Sequence, residues 1–163
     1  MEAVRSGAAS RLSSIAPRER GQPSDGVELS QENRPQLFVC VSCQCGGAEA
    51  APDGAATDGR RLFDALQSLT AEMGAGAPVQ LRPMLCFANC ERGCSVGIAA
   101  PGKWSYLMGD LGPEHAADLL TYCATYAEAK TGVVLPSKRP ASMQTTVIAR
   151  FPSQLEQFKD AAE

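Results

Sequence analysis

The chain has 163 residues, with 15 basic and 18 acidic side chains and a formal charge of -3. That length suits one ordinary domain with its own core, and the near-balanced charge offers no general attraction for a phosphate backbone, so nucleic acid is not an expected partner. No apolar run approaches the roughly 20 residues that span a bilayer, and the N-terminus lacks the short apolar stretch of a signal peptide; a cytoplasmic protein without membrane contact is expected.

Residues 1–34 are rich in Ser, Gly, Arg and Gln with isolated apolar residues. Such a composition buries too little surface to offset ordering entropy and reads as a disordered extension. Arg5, Arg11, Arg18 and Arg20 resemble transit-peptide composition, but Glu2, Glu19 and the lack of a long amphipathic pattern argue against one. Order is predicted to begin at 36–40, a β-branched and aromatic run suited to an inner strand. A Gly, Ala, Pro and Asp segment at 46–59 reads as loop.

From 60 to 73, Leu62, Phe63, Leu66, Leu69 and Met73 recur at three- and four-residue intervals, which predicts a helix with one buried face. Thr57 or Asp58 can cap its start, and Gly74 can end it. A second strand is predicted over 78–87, where Pro83 removes a ladder donor and favours an edge or a bulge. The runs 96–100 and 104–108 flank Pro101 and Gly102 and predict a hairpin. Pro113 then suits the first turn of a helix whose Ala116, Leu119, Leu120, Cys123 and Ala127 share a face. From 132 onward Pro136, Pro140 and Pro152 interrupt the pattern, and only 145–151 looks strand-like. The reading is a domain over 35–131 and a C-terminal extension over 132–163 that packs on it or trails from it. Strand, helix, strand, strand, strand, helix, with a right-handed crossover between the first two strands, is an α/β sandwich of the thioredoxin type.

Seven cysteines are present, and six fall in two short motifs: Cys40, Cys43 and Cys45, then Cys86, Cys90 and Cys94. An odd number in tight clusters is a poor disulfide framework. Both motifs lie just beyond predicted strands that pair in parallel, so the sheet should bring them to one edge, where soft thiolates from two loops can converge on a metal. Gly46, Gly47 and Gly93 would let backbone amides approach the sulfurs. Thiolates suit an iron–sulfur cluster, zinc or copper(I). Cys40-x2-Cys43 has zinc-knuckle spacing, but its counterpart is Cys86-x3-Cys90, which places zinc second. The same Cys40-x2-Cys43 could be a thioredoxin-type dithiol, yet the helical pattern starts only near residue 60, which removes the helix N-terminus that activates such a thiol. A radical enzyme is disfavoured by the x3 spacing before Cys94 and by the short chain.

Cys123 reads as a buried helix residue. His115 reads as a solvated residue at a helix start. Trp104 and Tyr106 read as sheet packing. With Glu91 the only acidic residue inside the motifs, and read as solvent-facing, no acid, base and nucleophile set is evident, so an enzyme is not expected.

Cys86, Cys90 and Gly93, followed by an apolar strand, Ala100-Pro101-Gly102 and Trp104-Ser105-Tyr106, resemble the second half of the thioredoxin-like [2Fe–2S] ferredoxins; Leu37 to Cys40 resembles their first ligand-bearing strand. Those proteins space their first two ligands by about a dozen residues, whereas Cys40, Cys43 and Cys45 are crowded here. A fuller resemblance, from Leu37 to Pro152, is to the DUF1636 family of predicted metal-binding proteins with a ferredoxin-like domain. It rests on Cys40, Cys43, Cys86, Asn89, Cys90, Gly93, Cys94, Ala100 to Tyr106, Gly109-Asp110-Leu111, Arg139-Pro140 and Ala149 to Pro152. The resemblance implies a metal-binding, ferredoxin-like electron carrier or accessory protein holding a [2Fe–2S] cluster, with zinc as the alternative metal. It implies Cys40, Cys43, Cys86 and Cys90 as ligands, with Cys45 and Cys94 as alternates. The contact it leads one to expect is a redox or metal-accepting protein partner, or a second copy of the chain as a homodimer.

Overall fold

The computed structural model describes residues 34–45 and 55–152. The proposed disordered extension, apart from Arg34, the glycines Gly46 and Gly47 and the last residues of the chain lie outside them. Five strands form one sheet: β1 (Gln36–Cys40), β2 (Gln80–Met84), β3 (Val96–Ala99), β4 (Trp104–Met108) and β5 (Val147–Pro152), in the order β2-β1-β3-β4-β5. Strand β1 pairs in parallel with β2 and antiparallel with β3, while β4 runs antiparallel to both β3 and β5. With α1 (Asp58–Met73) between β1 and β2 and α2 (Ala116–Glu128) after β4, this is a thioredoxin-like α/β fold. No helix among the described residues is long and apolar enough to cross a membrane.

The register explains the layers. Leu37 pairs with Ile98 and Ile98 with Tyr106, and Val39 pairs with Val96 and Val96 with Met108. A pleated strand sends alternate side chains to opposite faces, so all six point the same way, and all are essentially inaccessible to solvent. They meet Leu62, Phe63 and Leu66 of α1 and Leu119, Leu120 and Cys123 of α2 in one core. Tyr106 sits edge-on to both Tyr122 and Tyr126, with ring centroids 6.0 and 6.1 Å away, which fixes α2 beneath β4.

The other face carries Phe38, Gly97, Ser105, Leu107 and Phe151, and among the described residues neither α1 nor α2 packs there. There Phe87 lies across the sheet: a Cβ placed on Gly97 would come within 3.1 Å of its ring. Strand β1 is an inner strand between β2 and β3, as expected, but its Phe38 on this face is only half-buried.

Local signals account for the ends of the elements. Thr57 Oγ1 accepts the Arg60 amide at 3.1 Å and caps α1; Gly74, at φ 54°, ends it. Pro83 lies on β2, an edge strand, where a missing donor costs least. Residues 132–152 join the domain. Val134 and Met143 are buried, the Val134 amide donates to the Tyr106 hydroxyl at 3.2 Å, and β5 extends the sheet beside β4.

Candidate metal centre

Parallel pairing of β1 and β2 ends with Cys40 opposite Met84, so both chains leave the sheet at the same edge. The two cysteine motifs follow directly. The Val41 amide donates to the Met84 carbonyl at 2.8 Å and the Cys40 amide to the Ser95 carbonyl at 3.0 Å, which clamps the start of the first loop between both sides of the second. The Ser42 hydroxyl donates to the Leu85 carbonyl, and the Cys40 thiol reaches that same oxygen at 3.3 Å.

Helix α1 closes the site from below. Its Gly59 amide donates to the Cys43 carbonyl at 2.9 Å, and Asp58 accepts the Cys45 amide at 2.9 Å. The approach is so close that a Cβ on Gly59 would lie 2.0 Å from the Cys40 carbonyl oxygen. The separation in sequence between the motif and the helix led to the expectation that the helix N-terminus plays no part here. In the fold it abuts the first motif, although its nearest amides bond to the Cys43 carbonyl and the Thr57 cap, not to sulfur.

The second loop is held from the far side. Asn89 donates to the Ser95 hydroxyl at 2.9 Å, and Arg92 pairs with Asp110 at 2.7 Å while also donating to the Thr145 carbonyl at 3.2 Å. Gly93 packs on the first loop, where a Cβ would come within 2.4 Å of the Gln44 carbonyl oxygen and 3.5 Å of Cys43 Cβ.

Among the six motif sulfurs, two pairs stand out. Cys43 Sγ donates to Cys40 Sγ at 2.9 Å, and Cys45 Sγ lies 3.5 Å from Cys94 Sγ. Cys40 and Cys94 are fully buried, Cys43 nearly so, Cys45 half-buried, and Cys86 and Cys90 are exposed at the rim. Burial pushes the Cys40 thiol up, but hydrogen bonding with the Cys43 thiol, with Ser42 and with the Phe87 backbone outweighs it, and the net shift is downward. Cys43 is pushed up to about 11, by burial first and by its bond to Cys40 second, with the neighbouring Cys90 adding to the rise. Cys45 and Cys94 are both raised, chiefly by burial.

The structure thus brings Cys40, Cys43, Cys45 and Cys94 into the interior of the site and leaves Cys86 and Cys90 on its lip. Among the described residues, no three or more Cys, His, Asp or Glu side chains surround a common point. The donor chemistry fits a thiophilic metal: six soft sulfurs on two loops at one sheet edge, with the Ala88 amide donating to Cys86 Sγ at 3.1 Å. Cys123 lies in the core, fully buried on α2. His115 accepts the Gly112 amide at Nδ1, 3.0 Å away, and so caps its own turn. Glu91 is exposed. Gly59 and Asp58 escaped the sequence reading as parts of the site. A glycine in the first turn of a capped helix, where it costs stability, was the available signal of a close backbone approach.

A thioredoxin-like α/β domain with a cysteine-lined edge is the class that this geometry defines. The chain belongs to the family described as "Protein of unknown function (DUF1636)", whose model matches residues 37–153. No curated protein matches. Among solved structures, the chain is similar to a thioredoxin-like [2Fe–2S] ferredoxin from Aquifex aeolicus, with 18% identity and a TM-score of 0.45 over 75% of this chain and 98% of that one. A Cys-to-Ser variant of the same ferredoxin shows 17% identity and a TM-score of 0.43 over 71% and 98%.

Proposed function

We propose that the chain is a metal-binding protein whose cysteine edge holds a [2Fe–2S] cluster through Cys40, Cys43, Cys86 and Cys90, and that it serves a redox or metal-accepting protein partner as an electron carrier or accessory protein. The observation that carries this reading is the meeting of the two motifs at one end of β1 and β2, with the Cys40 thiol 3.3 Å from the carbonyl that immediately precedes Cys86. When bound, such a cluster supplies one-electron chemistry. The chain's own residues would do the rest. Cys40 and Cys43 would provide buried sulfurs on the sheet side and Cys86 and Cys90 exposed sulfurs at the rim, and hydrogen bonding from Cys43, Ser42 and the Phe87 backbone would favour the charged form of Cys40. The exposed rim then lies where a partner would dock.

Zinc held by the same thiols is the alternative metal. The 2.9 Å Cys40–Cys43 pair and the lowered Cys40 pKa favour a second reading, a thiol–disulfide oxidoreductase. Against it, Cys40 has no solvent exposure, and a protein disulfide cannot reach a fully buried nucleophile.

Purification without oxygen separates the three. The cluster reading expects brown protein with visible absorption bands and about equal iron and acid-labile sulfide, loss of that spectrum in both Cys43→Ser and Cys90→Ser, and an unchanged spectrum in Cys123→Ala. Colourless protein with stoichiometric zinc overturns the cluster. Rapid disulfide turnover that depends on Cys40 and Cys43 but not on iron overturns the carrier.

A further inference from the structure

Four ligands leave two motif cysteines unassigned, and the structure holds those two against each other. Cys94 is pinned by reciprocal backbone bonds with Leu111, 3.0 Å from its amide and 3.3 Å to its carbonyl. The Cys45 amide is anchored on Asp58 at 2.9 Å, and its thiol donates to the Leu111 carbonyl at 3.2 Å. Both backbones are therefore fixed independently of the sulfurs, and the thiols face each other at 3.5 Å across two loops far apart in sequence.

We propose that Cys45 and Cys94 form a redox-active dithiol, distinct from the metal ligands, that a low-molecular-weight disulfide oxidises to an intramolecular disulfide. Only the separation from the ligands rests on the preceding reading; the pairing does not. Solvent access sets the order of events, because Cys45 is half-buried and Cys94 is fully buried.

Cys45 loses its proton to solvent and attacks one sulfur of the oxidant. A mixed disulfide forms on Cys45 and the first thiolate leaves. Cys94, deprotonated in turn, attacks the Cys45 sulfur, forms the Cys45–Cys94 bond and expels the second thiolate, and both leaving groups take up protons. Two electrons pass from the cysteine sulfurs to the oxidant, which is reduced to two thiols. The Cys40–Cys43 pair is closer but offers less of an entry, since Cys40 is fully buried and Cys43 nearly so. The product would tie the loop after β1 to the segment that leads into β3.

The test is to incubate the full chain with oxidised glutathione in mildly alkaline buffer, trap the remaining thiols by alkylation, and map the products by mass spectrometry after digestion. The expected result is a Cys45–Cys94 cross-linked peptide in the wild type. Cys94→Ser should stall with glutathione attached to Cys45, whereas Cys45→Ser should carry none on Cys94. Should Cys94→Ser fold poorly, Cys45→Ser, at the more exposed position, still tests the pair. A cross-link that maps to Cys40–Cys43, or the absence of any cross-link, overturns the proposal. So does a loss of metal in both Cys45→Ser and Cys94→Ser, which would make the pair ligands. Protein that never holds metal would refute the preceding reading while leaving the cross-link map to decide this one.

Discussion

Gly59→Ala sets two rules of stability against each other. Judged from the helix alone, alanine should stabilise α1 by about 0.5–1 kcal/mol, because glycine loses more backbone freedom on folding. The tertiary contact opposes this. The new Cβ would sit 2.0 Å from the Cys40 carbonyl oxygen and 3.3 Å from the Cys43 amide nitrogen. Both are backbone atoms, so relief requires α1 or the first cysteine loop to move. Overpacking of this kind costs about 1–3 kcal/mol, and straining the 2.9 Å Gly59–Cys43 bond adds about 0.5–1.5 kcal/mol. The net expectation is a loss of about 1–3 kcal/mol. Urea denaturation measures it as a fall of about 1 M in midpoint, given a slope of about 1–3 kcal/mol/M. Gly76→Ala is the control, since a Cβ there meets nothing within 4 Å and the variant should be neutral or slightly stabilised. A Gly59→Ala protein as stable as the wild type would refute the close approach of α1 to the cysteine loop, and with it this account of how the site is built.

Two further outcomes follow from the same contacts. The Cys45 amide first, and Arg61 second, hold the Asp58 carboxyl below its usual range; its contribution to stability is therefore fully present above the unfolded carboxylate pKa of about 3.9 and is lost as pH falls through the lower folded value. Asp58→Asn should flatten the acid limb of an unfolding-midpoint profile below about pH 4, and an unchanged limb would remove Asp58 from the loop's anchorage. Phe87→Ala removes the ring that packs on Gly97 beside the second motif; as a half-buried side chain it should cost about 1–2 kcal/mol and speed alkylation of Cys86 and Cys90, measured by mass spectrometry, while equal rates would show that Phe87 does not restrain that loop.

The local pattern of residues already determined the elements and their order. Leu62, Phe63 and Leu66 are placed by a 3.6-residue period and the β1, β3 and β4 residues by β-rich runs between turn residues, and these signals lie within a few positions of the atoms they describe. The Thr57 cap, the Gly74 stop and the edge position of Pro83 are legible for the same reason. The crowding of six cysteines into two motifs marked the candidate site, since thiol chemistry depends first on which atoms are present.

Tertiary structure alone decided which sulfur meets which. The Cys40–Cys43 contact is local, but Cys45 reaches Cys94 only because parallel pairing of β1 with β2 and antiparallel pairing of β1 with β3 bring both ends of the second motif to the first. The docking of α1 on Cys43 is of the same kind, as is the exposure of Cys86 and Cys90. Periodicity reports that a face is buried and cannot report against what. Through-space neighbours are set by strand order and by the closure of loops between distant segments, whose entropy varies only slowly with length and leaves no mark on the residues that come to touch.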